Sequence, residues 1–268
     1  MKIIYFSIVL VWAVSCIPEQ KAAIQSTEAE PSKDTLILEK EIINEKIPKS
    51  YLLGQFEPKD DSLFVLIEDQ YSDGSGRGGF MHKKAYAAFK NMHAAAKEAG
   101  ISLTILSPTR NFFRQKNIWE RKWNGQTLVK GQDLSKSQPD PVLRAKIILE
   151  YSSMPGTSRH HWGTDIDINA FENSYFESGQ GLKEYNWLIA NAAKYGFCQP
   201  YTQKGDARPY GYEEEKWHWS YIPVASKYLE AYKQTITYED LTGFLGAETA
   251  ISIDVIPNYV DGINQACK

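Results

Sequence analysis

The spacing of hydrophobic and polar residues after about residue 53 predicts several amphipathic helices. Between Lys84 and Ala99, large apolar side chains recur every three to four residues, and Gly100 then provides a stop signal. Three further segments are also predicted to be helical: Gln115–Trp123, Pro141–Tyr151 and Leu182–Tyr195.

Other segments alternate polar and apolar residues or have the composition of short strands. These are Ser102–Ser107 (SLTILS), Thr164–Asn169 (TDIDIN) and Trp217–Ile222. In the TDIDIN segment, Ile166 and Ile168 should face the core, which puts Asp165 and Asp167 together on the opposite face. Because helices and strands are mixed without strict βαβ order, we expect an α+β domain with a small antiparallel sheet flanked by helices.

The N-terminus has the pattern of an export signal. Lys2 precedes an apolar run from Ile3 to Val14, which is short for a bilayer span but typical of a signal-peptide core. The run ends in Ala-Val-Ser-Cys, which resembles a bacterial lipobox, with Ala13 where leucine is usual. We predict a lipoprotein signal peptide over residues 1–16, with lipid on Cys16. An uncleaved anchor and a plain signal peptide are the alternatives.

Composition divides the rest of the chain. From Ile17 onward, polar and small residues dominate, and such a segment buries too little apolar surface to order its backbone. We therefore predict a flexible tether over 17–50 and one domain over 51–268, at the cell envelope or in the periplasm. If Cys16 carries lipid, Cys198 and Cys267 remain as a candidate disulfide; two free buried thiols are the alternative.

Charge argues against two classes of partner. The chain has 30 basic and 33 acidic residues, without a basic stripe or a helix-long run of one charge. We therefore expect no nucleic-acid partner and no membrane-surface helix. We expect a monomer that meets the membrane only through Cys16.

Two short segments carry the candidate chemistry, one running from Ser158 to Asp167 and the other around His218. A catalytic zinc ion takes three His or carboxylate ligands, leaving a position for water, and needs a nearby carboxylate to accept a proton. His160, Asp167 and His218 fit as ligands, and Glu215 fits as the base. The sequence contains no HExxH helix motif, which excludes a thermolysin-like arrangement.

These segments resemble the VanY-type D-alanyl-D-alanine carboxypeptidases, whose zinc peptidase family includes lysostaphin-like enzymes and the hedgehog fold. The resemblance rests on SxHxxGxxxD at Ser158, His160, Gly163 and Asp167, and on ExWH at Glu215, Trp217 and His218. Asp165 departs from the alanine usual in the family. An upstream SxYRSxxxQ motif is met by Ser107, Arg110 and Gln115, with Thr109 and Asn111 departing from Tyr and Ser.

The resemblance implies a role for each matched residue. His160, Asp167 and His218 would bind Zn2+, and Glu215 would act as general base and then as general acid. Arg110 would stabilise the oxyanion or hold a substrate carboxylate. Gln115 and Ser158 would contact the substrate, and Trp217 would pack against the metal histidine.

The implied function is hydrolysis of peptidoglycan stem peptides with loss of a C-terminal D-amino acid, as a D,D- or L,D-carboxypeptidase. A cross-link endopeptidase and a non-catalytic, zinc-containing, cell-wall-binding lipoprotein are the alternatives. The presence of Glu215 argues against the non-catalytic alternative, because a binding module needs no general base. We expect Asp165 to accept a hydrogen bond from a ligand histidine. His161 should lie behind the metal or face the substrate, and His82 and His93 should be surface or helix residues.

Overall fold

The structure, a computed structural model, describes residues 47–268. The predicted signal peptide, Cys16 and residues 17–46 of the predicted tether lie outside the described residues. The first helix begins at Lys49, so the described fold includes the last residues of the segment predicted as a tether.

Within these residues, strands and helices alternate irregularly along the chain. The strands are β1 (Phe64–Leu66), β2 (Phe80–His82), β3 (Ile105–Ser107), β4 (Asp165–Ile168), β5 (Phe197–Cys198) and β6 (His218–Tyr221). The α-helices are α1 (Lys49–Leu52), α2 (Lys83–Glu98), α3 (Phe112–Trp123), α4 (Leu134–Ser137), α5 (Pro141–Ile148), α6 (Gly179–Asn191), α7 (Ile222–Thr235) and α8 (Thr249–Ile253). Short 3-10 turns connect them, including Arg159–Trp162 and Ala192–Tyr195, and Ile256–Val260 forms a π-helical turn.

The strands form two antiparallel sheets. β1 pairs with β2, and the other four strands lie in the order β3-β4-β6-β5. In the larger sheet, Asp167 on β4 is the register partner of His218 on β6. The predicted α+β class with a small antiparallel sheet is confirmed, and the pairing of β4 with β6 joins the two motifs that carry the candidate chemistry.

The predicted elements are present, with shifted ends that have local causes. β3 begins at Ile105 instead of Ser102, because the side chain of Asn169 binds both the Thr104 amide and the Ser102 carbonyl. α3 begins at Phe112, where the Asn111 side chain accepts a hydrogen bond from the Arg114 amide at 2.9 Å and caps the helix.

The core consists of two clusters of buried apolar side chains. One lies between α2 and the larger sheet, where Phe89 packs with Ile166 and Ile168. The inward orientation predicted for these isoleucines is confirmed. The other cluster is larger and includes Trp119 and Trp162.

A disulfide joins Cys198 on β5 to Cys267 near the C-terminus, as predicted. It ties the last residues of the chain to the edge of the larger sheet. None of the helices in residues 47–268 has the length and apolar character that crossing a bilayer requires.

Candidate metal centre and active-site cavity

Three elements bring the candidate metal ligands together. Asp167 and His218 lie opposite each other on β4 and β6, while His160 comes from the 3-10 turn before β4. That turn ends at Gly163, with φ of +70° and the Phe64 ring and His82 backbone too close for a side chain. Gly163 is therefore required at this position.

The three facing atoms have the spacing of a metal site. His160 Nε2 lies 3.4 Å from Asp167 Oδ1, and His218 Nδ1 lies 3.2 Å from the same oxygen. Ligands about 2.0–2.1 Å from a tetrahedral zinc ion stand about 3.3 Å apart, which matches both distances. His160 Nε2 and Asp167 Oδ1 are buried without a hydrogen-bond partner among the described residues.

The spacing and the two unpartnered buried atoms fit a cation at this position. Of all His, Cys, Asp and Glu side chains in residues 47–268, these three form the one group with metal-binding geometry. The sequence prediction named the same three residues.

Glu215 lies beside this group. Its Oε2 is 3.2 Å from His218 Nδ1, the nitrogen that faces Asp167. Its backbone amide donates to the Tyr201 carbonyl, and its carbonyl accepts from the Gln199 side chain, so the main chain is held on both sides. Burial raises the pKa of Glu215, although contact with His218 acts in the opposite direction. A carboxyl group with a raised pKa suits proton transfer near neutral pH.

Arg110 is anchored by three side chains. Its Nη1 donates to Ser107 Oγ at 2.7 Å and lies 3.2 Å from Asp167 Oδ2, while Nε donates to Gln115 Oε1 at 3.0 Å. Gln115 in turn donates to the Ser153 carbonyl at 2.8 Å. Each end of the Gln115 amide therefore has a partner within the protein, and its oxygen helps to orient Arg110. Gln115 also lines the cavity, and its contact with substrate stays a prediction.

A buried charge network lies behind His218. His218 Nε2 is 2.9 Å from Asp165 Oδ2, and the Arg159 Nε–H donates to the same oxygen at 2.9 Å. The other oxygen of Asp165 accepts from Ser220 at 2.7 Å and from Thr164 at 2.8 Å. Asp165 thus contacts a candidate ligand from behind, as expected, and both oxygens of its carboxylate are satisfied.

Arg159 was missed by the sequence reasoning. Its side chain is 1% exposed, and its partners Asp165 and Ser220 stand 6 and 61 residues away along the chain. The one available signal was a charged residue between two matched motif positions, Ser158 and His160.

The charges set the protonation of both histidines. Burial lowers the pKa of His160 to about 4, with Arg110 adding to the effect. The imidazole is therefore neutral at neutral pH, as a metal ligand must be. Burial also opposes the charged form of His218, but the adjacent carboxylates of Asp165, Asp167 and Glu215 raise its pKa well above the usual value.

Asp165 is ionised despite its burial. Burial alone would raise the pKa of this carboxyl, but Arg159 and then His218 bring it below the usual range. Arg159 and His218 together keep this buried carboxylate charged.

Some predicted residues occupy other positions. Ser158 precedes the 3-10 turn, its hydroxyl group is buried, and it is not among the residues that line the cavity; its contact with substrate stays a prediction. His161 is buried: its Nδ1 contacts the Arg110 carbonyl, and its Nε2 accepts from the Gly156 amide at 3.1 Å. His161 therefore supports the loop that carries Arg110 and is not among the residues that line the cavity.

Two further predictions on histidines and aromatic residues need correction. His82 is buried, and its Nδ1 caps α2 by accepting from the Lys84 amide at 3.2 Å. The rings that pack on His218 belong to Tyr201 and His160, each with its centroid 4.7 Å from that of His218. Trp217 instead lines the cavity, with its ring 6.3 Å from that of Tyr151.

A cavity of about 460 Å³ opens over the metal group. Its lining includes residues of α3, of the segment after α5 and of the segment after β4. The residues around it are Arg110, Gln115, Ile118, Lys122, Tyr151, Ser152, Ser153, His160, Asp167, Phe171, Glu172, Asn173, Tyr201, Tyr212, Glu215, Trp217 and His218. The sequence reasoning did not single out Lys122 or Tyr201, since neither belongs to a matched motif.

Comparison with known proteins identifies the family. The family model for VanY, D-alanyl-D-alanine carboxypeptidase, matches residues 79–224, just over half of the chain. The chain belongs to this family. The match includes every candidate site residue described above, and the resemblance predicted from the two motifs is confirmed.

The individual relatives share between 23% and 30% sequence identity with this chain. YodJ of Bacillus subtilis (strain 168), which is named for a carboxypeptidase, is 30% identical over 181 residues, covering 66% of this chain and 58% of YodJ. A D-alanyl-D-alanine carboxypeptidase of Enterococcus faecalis is 23% identical over 210 residues, covering 78% of this chain and 71% of that protein. Among solved structures, the LdcB LD-carboxypeptidase has a TM-score of 0.48 at 23% identity, covering 75% of this chain and 81% of LdcB.

Proposed function

We propose that this chain is a zinc-dependent carboxypeptidase that removes a C-terminal D-amino acid from peptidoglycan stem peptides. One observation carries the proposal: two unpartnered buried atoms, His160 Nε2 and Asp167 Oδ1, meet His218 Nδ1 and the Glu215 carboxylate at one cavity. Membership in the VanY family supports the reaction class.

His160, Asp167 and His218 would hold the metal. A bound zinc ion would supply Lewis-acid chemistry, polarising the peptide carbonyl and lowering the pKa of water. Glu215 would take a proton from the attacking water as its oxygen bonds to the carbonyl carbon. Glu215 would then deliver that proton to the leaving amine as the C–N bond breaks.

Arg110 is suited to stabilise negative charge on the carbonyl oxygen. Its guanidinium group pairs with Oδ2 of Asp167, while Oδ1 of the same carboxylate faces the two histidines. The positive charge of Arg110 therefore lies directly beside the candidate metal ligands. The hydrogen bonds to Ser107 and Gln115 fix its orientation before substrate binds. A preoriented cation of this kind acts most strongly where charge develops in the transition state. Of the two roles left open by the sequence, this anchoring favours the oxyanion role.

We also propose that the chain is exported and anchored through a lipid on Cys16. The apolar run before Cys16 and the Cys198–Cys267 disulfide support this, because disulfides persist in oxidising compartments. Cys16→Ala should move the protein from the membrane fraction to the soluble exported fraction. If the variant stays with the membrane, another segment anchors the protein.

The main test uses the purified protein and stem peptides of different lengths. We expect release of a single D-amino acid, loss of release with a chelator, and recovery on adding zinc. Cleavage restricted to cross-linked dimers would instead identify an endopeptidase. Binding without turnover, whatever the metal content, would identify a binding module.

A further inference from the structure

Lys122 is a cation on the wall of the active-site cavity that has no role in the metal centre. It lies seven residues after Gln115 on α3, so the two side chains share one face of the helix. Lys122 is half-buried, lines the cavity, and donates a hydrogen bond to Ser152 Oγ. Within residues 47–268, no carboxylate comes within ion-pair distance of its ammonium group.

Of the other charged residues that line the cavity, Glu172 is exposed and the rest are already engaged. Arg110 pairs with Asp167, while Asp167 and Glu215 face the metal position. Burial lowers the pKa of the Lys122 ammonium group. The charge of Arg110 acts in the same direction, and the charge of Glu215 acts in the opposite direction. Burying an ammonium group is unfavourable without an anionic partner. The cavity wall therefore presents a positive charge that a ligand could neutralise.

The free hydrogen-bonding capacity of Lys122 suits a carboxylate. An ammonium group has three N–H donors, and the Ser152 hydroxyl accepts only one of them. A carboxylate at this place would form charge-assisted hydrogen bonds, about twice as strong as neutral ones. Arg110 is less available for this task, since Ser107, Gln115 and Asp167 already hold its guanidinium group.

We propose that Lys122, together with the Ser152 hydroxyl, binds the terminal carboxylate of the substrate and thereby restricts cleavage to the end of a peptide. This inference rests on the proposed function and adds the group that recognises the chain end. If the peptide chain has one more residue at its C-terminal end, a neutral amide takes the place of the terminal carboxylate. The positive charge of Lys122 then has no negative partner.

The test compares two peptides that differ only at the C-terminus, one ending in a carboxylate and one in a carboxamide. Wild type should prefer the carboxylate. Lys122→Met should lose about 10- to 100-fold in kcat/KM on the carboxylate peptide, as expected for a hydrogen bond to a charged group. Its kcat/KM on the carboxamide should stay within about twofold of wild type. Lys116→Met is the matched control, because Lys116 lies on the same helix, pairs with Glu120 and does not line the cavity.

A third peptide identifies which carboxylate is bound. It keeps the terminal carboxylate but carries amides on its internal acidic side chains. If the effect of Lys122→Met vanishes with this peptide, the ammonium group binds a side chain and the proposal is wrong. Equal losses on the carboxylate and carboxamide peptides would also overturn it.

A binding measurement separates this inference from the proposed function. Calorimetric titration of both peptides into zinc-loaded wild type and Lys122→Met requires no turnover. If wild type binds the carboxylate form more tightly and Lys122→Met does not, the inference holds even for a protein without hydrolytic activity. If wild type binds both forms equally, the inference fails, whatever the activity.

Discussion

The two histidines of the candidate metal centre are supported in opposite ways. On one side, the Nδ1–H of His160 donates to the backbone carbonyl of Pro108 at 2.9 Å. On the other side, His218 Nε2 contacts the carboxylate of Asp165, which is held in turn by buried Arg159. The first support is neutral main chain, and the second is a chain of buried charges.

The difference predicts where the centre is sensitive to substitution. A main-chain carbonyl remains in place whichever side chain its residue carries. A buried ion pair is stable only when complete, because removing one partner leaves the other charge buried and uncompensated. We therefore expect the His218 side to tolerate few changes and the His160 side to tolerate side-chain changes.

The largest expected effect tests whether the His218 side also holds the reactive group. Glu215→Ala should lower turnover on a stem peptide by about 10²- to 10⁴-fold, the usual contribution of positioned proton transfer. Zinc content should stay the same, since none of the three ligand atoms belongs to Glu215. The measurements are turnover and bound zinc for both proteins. Equal turnover would remove Glu215 from the mechanism.

Arg159→Met breaks the charge chain at its far end. The free energy of unfolding of the metal-free protein should fall by about 3–5 kcal/mol, because the buried Asp165 carboxylate would lose its arginine partner and keep only His218. Denaturant unfolding measures the change. Adding Asp165→Ala to this variant should recover part of the loss, and a double variant less stable than Arg159→Met alone would contradict the charge argument.

Asp165→Asn keeps the shape of the side chain and removes its charge. Zinc affinity should fall by about 10- to 100-fold, as is typical when the partner of a metal-binding histidine is changed. Competition with a chromophoric chelator measures this on protein shown to be folded. Unchanged affinity would mean that the buried charge serves folding alone.

Pro108→Ala provides the contrasting change on the His160 side. The carbonyl that accepts from His160 is retained, so zinc affinity should change by less than about threefold. The free energy of unfolding should fall by at most about 1 kcal/mol, through the added freedom of the unfolded chain. An effect as large as that of Asp165→Asn would show that the two sides do not differ as we infer.

The sequence by itself determined the kind of fold and the identity of the candidate ligands. Helical spacing located α2, and the alternation around Ile166 and Ile168 located β4, because burial of one face imposes the period of the element. The ligand set followed from two short motifs, in which residue type and spacing are local properties of the chain.

The tertiary structure decided which side chains surround those ligands. The motifs assigned Asp167 to the metal position and Asp165 to a ligand histidine, but they could not show that buried Arg159 holds Asp165 behind His218. Both faces of β4 are buried, so the polarity pattern of the strand carries no signal for this partner. The sequence also could not predict the position of Lys122, because its place in the cavity depends on how α3 packs beside Ser152, 30 residues further along the chain. Contacts between residues distant in sequence leave no periodic pattern, and only the folded chain reveals them.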